Sequence, residues 1–204
     1  MERLFSMDGK LINFMNRIAD MVLLNLLWII CSIPIVTIGA STTALYAVTL
    51  KMARNEDSYI CSSFFGAFRE NFKQATCIWG LILGIAGVLY FDFYFSSHME
   101  AGGARYLFIA FAVIAFLLIM TTCYVFPILA FFENSTKKAV KNSLMMAAAH
   151  LPYTAVILVT GLVPVLILFS GNLMIALFID IIIGVSLSAW ANAHIFRNLF
   201  ERYM

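Results

Sequence analysis

Charge is what this sequence has least of. Asp, Glu, Lys and Arg make up 12% of it, about half the share of an ordinary soluble domain. Hydrophobic residues reach 63%, and the mean hydropathy is +0.94. Too few charges are present to cover a water-facing surface, which excludes a soluble globular domain. Long polar stretches are missing as well, so the 204 residues are expected to form a single transmembrane domain, residues 1–204.

Other absences narrow the chemistry. The four cysteines, Cys31, Cys61, Cys77 and Cys123, show no CxxC spacing, which argues against a metal site and a disulfide framework. No phosphate-loop, HExxH or GxSxG pattern occurs, so no enzyme activity and no cofactor is expected. His98, His150 and His194 are far apart and are read as interfacial side chains. The net charge of +2 is spread over several loops and gives no footprint for nucleic acid. Residues 1–17 followed by an apolar run resemble a signal peptide, but the run is too long, and it is expected to stay as a membrane segment.

What the sequence does have is apolar runs. Crossing about 30 Å of hydrocarbon takes about 20 helical residues. Four runs meet that length, from Ala75 to Ser96, Tyr106 to Phe132, Leu151 to Ser170 and Leu173 to Ile195, with Asp92 and Asp180 as their internal charges. The run from Ile18 to Leu50 is different, because Pro34 and Gly39 interrupt it and Gly39 to Ala44 are small and polar. As one helix it would reach only about 50 Å, short of the ~60 Å of two full crossings, so a hairpin here must be shallow, tilted or re-entrant.

Loop charge chooses between hairpin and single crossing, since Lys and Arg collect on the cytoplasmic side of short loops. With a hairpin, Arg3, Lys10, Arg17, Lys51, Arg54, Arg69, Lys73, Lys137, Lys138, Lys141, Arg197 and Arg202 fall on one side, leaving only Arg105 opposite. With a single crossing the split is weaker, because Arg3, Lys10 and Arg17 join Arg105 outside. The expected fold is therefore an all-α polytopic helix bundle of about six membrane segments. The first two form a Pro/Gly-broken hairpin, and both termini are cytoplasmic.

Two basic segments read as amphipathic helices along the cytoplasmic membrane face. Phe64, Phe65, Phe68 and Phe72 share one side of the first, with Arg69, Glu70 and Lys73 toward the other. In the second, Ser135 is placed to cap a helix with Lys137, Lys138 and Lys141 on one face and Val140, Leu144 and Ala147 on another. Each leads into a long apolar helix, a match that an internal repeat would produce. Snorkelling helix-end anchors explain these segments, and so does a docking surface made of Phe64, Phe65, Phe68, Arg69, Lys137, Lys138 and Lys141.

Asp180 stands in Leu177 to Ile183 with no basic residue within a helical turn. A carboxylate there costs about 2.5–3.5 kcal/mol on insertion scales, so it is expected to face protein or a wet cavity, with Asn25, Thr121 or Thr122 as partner. Function and fold-specific hydrogen bonding both remain open. Asp92, among Tyr90, Phe91, Phe93 and Tyr94, reads as part of an aromatic belt. Gly80 and Gly84, extended by Gly87, form a GxxxG that permits close helix approach.

The stretch from Asn25 through Trp28, Pro34, Thr37, Gly39, Ser41 and Ala44 to Tyr46 resembles the signature of the YesL-like family of small bacterial membrane proteins. The likeness continues at Phe68-Arg69-Glu70-Asn71-Phe72-Lys73 and at Phe132-Glu133-Asn134. That resemblance implies a domain of unknown function from Gram-positive bacteria, in the cell membrane, with a genomic association to carbohydrate ABC importers. Two functional readings are weighed, the first resting on that association and the second on the broken helix and Asp180. One is an accessory subunit that contacts importer permease or ATPase subunits. The other is a stand-alone small-molecule carrier or channel with a polar centre at Asp180, Asn25, Ser41, Thr42 and Thr43. The lipid bilayer is a partner in both.

The topology is testable by single-cysteine labelling in a cysteine-free background. Position 102 is expected to react from outside the cell, and positions 9, 58, 136 and 203 to stay protected. External labelling of those four would overturn the orientation.

Overall fold

In the computed structural model, the backbone is described for residues 2–56, 59–97, 104–132, 135–169 and 171–202, with side chains from residue 12 onward except 13, 97, 104 and 105. His98, Glu133, Asn134 and the side chains of Arg3, Lys10 and Arg105 lie outside the described residues. The described chain is helical throughout, without a strand. Its helices are α1 (Glu2–Ser32), α2 (Ile38–Ala53), α3 (Ile60–Ser97), α4 (Ala104–Phe131), α5 (Thr136–Ala149), α6 (Leu151–Leu168), α7 (Leu173–Ile179) and α8 (Val185–Phe200). A 3-10 turn at Ile35–Thr37 joins α1 to α2, and a π-helical turn at Asp180–Gly184 joins α7 to α8.

Six segments are long and apolar enough to cross a membrane: Phe14–Ser32, Ile35–Ala53, Ile60–Ser96, Tyr106–Phe131, Leu151–Leu168 and Leu173–Phe200. One expectation changes. The aromatic segment around Phe64 to Lys73 is no separate surface helix, because α3 runs unbroken for 38 residues from Ile60. No proline punctuates that stretch, so nothing stops the helix before the apolar run. The second basic segment is a helix of its own, α5, which ends where His150 takes φ −125° and ψ 50° ahead of Pro152. Ser135 stands at its N-cap with extended backbone, but its side chain makes no capping bond.

Between α1 and α2 the chain reverses. Trp28 Nε1 donates to Thr42 Oγ1 at 3.3 Å, and Arg17 donates to the Met52 carbonyl, so residues on either side of the Pro34–Ile35 break meet in pairs. The break is closed by side chains. Thr37 Oγ1 donates to Cys31 O at 2.6 Å and Pro34 O at 2.7 Å, and Trp79 Nε1 on α3 donates to Ile35 O at 2.8 Å. Small residues then let α2 sink into the centre, with Gly39, Ala40, Ser41, Thr43 and Ala44 all buried. Gly39 sits so tightly that a Cβ there would come within 2.7 Å of Trp79 Cβ and 2.8 Å of Ala75 O.

At the other end of α2, cations gather. The Met52 carbonyl accepts from Arg17 and the Ala53 carbonyl from Arg197, which supplies donors where the last carbonyls of a helix lack partners. Arg54 lies 4.3 Å from the centre of the Phe131 ring and 3.5 Å from Glu56. Phe131, Phe132 and Phe196 pack around Phe200 at centroid distances of 4.9, 5.3 and 5.4 Å. The near end of α1 and the far ends of α2, α4 and α8 are thus held together on one side of the bundle.

Because Trp79 Cβ and a backbone carbonyl cannot move aside cheaply, Gly39→Ala is expected to destabilise the fold by about 1–3 kcal/mol. Thermal unfolding in mild detergent measures it, and an unchanged melting temperature would mean that α2 is free to shift away from α3.

Candidate functional site

A π-helical turn takes in one extra residue and leaves local backbone groups without their usual partners. In Asp180–Gly184 those groups are met from another helix. Asn25 of α1, fully buried, donates through Nδ2 to Asp180 O at 2.9 Å and Ile181 O at 2.8 Å. Its Oδ1 accepts from the Ser186 backbone N–H at 2.9 Å. One side chain therefore closes three backbone positions across 155 to 161 residues of sequence.

Asp180 lies at the centre of this arrangement, but its carboxylate takes no part in it. Both carboxylate oxygens are shielded and have no hydrogen-bond partner among the described residues. They rest over Gly184, where a methyl group would collide with Oδ1 and come within 3.1 Å of the carboxylate carbon. Asn25 was one expected partner and it contacts the Asp180 backbone instead. Thr121 and Thr122 are not partners, because their hydroxyls bond Leu117 O and Leu118 O of their own helix at 2.8 Å.

The remaining polar candidates do not join Asp180. Thr42 accepts from Trp28, one turn along α1 from Asn25. Thr43 donates to Gly39 O at 2.9 Å, and the buried Ser41 hydroxyl has no partner among the described residues. A second buried polar layer carried no motif: Tyr124 OH lies 2.9 Å from Thr154 Oγ1, and Thr160 donates to the buried Asn192. Isolated hydroxyls and amides in apolar runs were its only sequence signal. Among the described residues no group of three His, Cys, Asp or Glu is placed to hold a metal ion.

The docking candidates divide. Phe64 is fully buried against Met21, Leu24, Ala44, Leu45 and Val48 and cannot meet a partner, which corrects its assignment to an outer face. Its helical face meets α1 and α2 instead of a membrane or a second protein. Phe68 is half-buried against the core, whereas Phe65 is 50% exposed and Arg69, Lys137, Lys138 and Lys141 are exposed. Gly80, Gly84 and Gly87 have open space where a Cβ would stand, so the GxxxG is not used within the chain.

Residues 21–93 match the family described as "Protein of unknown function, DUF624". The chain is 28% identical over 157 residues to the uncharacterized protein YteU of Bacillus subtilis (strain 168), covering 74% of this chain and 69% of that one. It is 26% identical over 177 residues to the uncharacterized protein YesL of the same strain, covering 85% and 83%. These matches agree with the resemblance to the YesL-like family. No solved structure matches. The family match takes in Asn25, Pro34, Gly39 and Trp79, and the π-turn lies outside it.

Substitutions at Asp180 and Gly184 test this geometry. Asp180→Asn is expected to fold like the parent, whereas Asp180→Lys, longer and cationic in an apolar run, is expected to fail. Gly184→Ala requires the Asp180 carboxylate to move aside, so it should cost more in the parent than in an Asp180→Ala background, because the closest contact is with that carboxylate. Equal costs in both backgrounds, read by thermal unfolding, would remove the contact.

Proposed function

We propose that this chain is an accessory membrane subunit that docks through the basic end of its bundle, with permease or ATPase subunits of a carbohydrate ABC importer as the partner class. The observation that carries the reading is the clustering of cations and aromatics on one side. Arg17, Arg54 and Arg197 meet at the end of α2, and Lys137, Lys138 and Lys141 are exposed on the helix that follows Phe131 and Phe132. Arg69 and the half-exposed Phe65 add to that side on the first turns of α3. The importer class rests on the family resemblance alone.

In this reading the basic side is cytoplasmic, as the positive-inside tendency favours. The Pro/Gly-broken α1–α2 pair enters the plasma membrane from that side and returns to it, and both termini are cytoplasmic. The protein performs no catalytic step and binds no cofactor. A stand-alone carrier is the second reading, favoured by the two unpartnered oxygens of Asp180. Against it, Asn25, Thr37 and Thr43 use their hydrogen bonds to close the protein's own backbone.

Purification in mild detergent from the native host is expected to recover importer subunits, and Lys137→Glu with Lys138→Glu to lower that recovery severalfold. Isolation of the protein alone, together with solute uptake into liposomes containing it and nothing else, would replace this reading with the carrier.

A further inference from the structure

The π-turn at Asp180–Gly184 interrupts a run that is otherwise continuous helix from Leu173 to Phe200. Nothing in its own sequence enforces the interruption: Asp-Ile-Ile-Ile-Gly contains no proline, and the residues on both sides are regular α-helix. What selects the π register is external. Asn25 offers two donors to Asp180 O and Ile181 O and one acceptor to the Ser186 N–H, and these three groups lie where the extra residue disturbs the α pattern. In the α register Ser186 N–H would pair with Ile182 O, and the Asn25 amide would lose its match. The two registers therefore compete for one set of backbone groups, and a single side chain decides between them.

A change of register moves α7. Winding the same residues, extra one included, as α-helix rotates everything before the turn by about 100° relative to α8. Asp180 begins the turn, and its carboxylate, free of partners, has no bond to break when it leaves Gly184. We propose that Asn25 is a latch holding residues 180–184 in the π register, and that its release turns α7 into α register with α8 and carries Asp180 to a different face. This device couples α1 to the last membrane segment and is independent of whether the protein docks or transports.

The test uses the full chain in nanodiscs, with its four cysteines replaced and spin labels at Glu70→Cys on α3 and Met174→Cys on α7, both exposed positions. Pulsed EPR of the parent should give one main distance. Deleting Ile182 removes the bulge without turning α7 and should keep that distance, whereas the same residues wound entirely as α-helix place Met174 at a second distance, displaced by roughly 5–10 Å given the width of a helix with its side chains. Asn25→Leu should populate that second distance, and Asn25→Asp, which loses both donors but keeps the acceptor, should do so where Leu fails to fold. A single parental distance in the foldable Asn25 variant would overturn the latch and leave Asn25 a static fastener. A shifted distance in the Ile182 deletion would overturn it too, because the turn would then not be a one-residue insertion between helices that keep their frame.

Discussion

Within hydrocarbon an unpaired amide or carbonyl has no water to turn to, and each one left open costs several kcal/mol. A continuous helix meets that demand by itself. This chain departs from continuous helix at several places, and at three of them, the Pro34 break, the end of α2 and the π-turn, a side chain from a different helix adds a bond to the backbone. Trp79 reaches Ile35 O, Arg17 and Arg197 reach the last carbonyls of α2, and Asn25 reaches both sides of the π-turn. The irregular backbone and the helix packing thus depend on each other. Removing a clamp would expose a polar group in the bilayer, and moving a helix would remove the clamp.

That dependence explains what could be read in advance. The long apolar segments were legible because length and hydropathy carry them directly, and the break after Pro34 was legible because proline acts on its own backbone, whereas Gly39 lies inside α2 and interrupts nothing. Asn25 and Asp180 were both noticed as embedded polar residues. Their relation was misjudged, because a carboxylate invites a side-chain partner, whereas Asn25 bonds the backbone of a turn whose extra residue leaves no mark in Leu-Phe-Ile-Asp-Ile-Ile-Ile. Nor does periodicity say what an apolar face meets. Phe64 repeats as a surface anchor would, yet its neighbours are Leu24, Ala44 and Val48.

The glycines make the same point from the opposite side. Gly80, Gly84 and Gly87 match a motif for close approach and approach nothing within the chain, while the solitary Gly39 admits Ala75 and Trp79 to contact distance. A motif records that a helix surface is smooth. Whether another helix comes to it depends on the rest of the bundle, here on the reversal at Pro34 that brings α2 back beside α3.

The point where the α1–α2 pair ends also shapes the molecule as a whole. Its tip docks at Trp79, 20 residues into α3, and 18 residues of α3 continue past it, about 27 Å of helix. The cross-section on the basic side is therefore wider by two helices than the section beyond the tip, where Ile33, Ile35 and Val36 remain 75, 65 and 62% exposed. Set in a bilayer as proposed above, that taper would take up more area in one leaflet than in the other, and the curvature of the surrounding membrane would then bear on the protein.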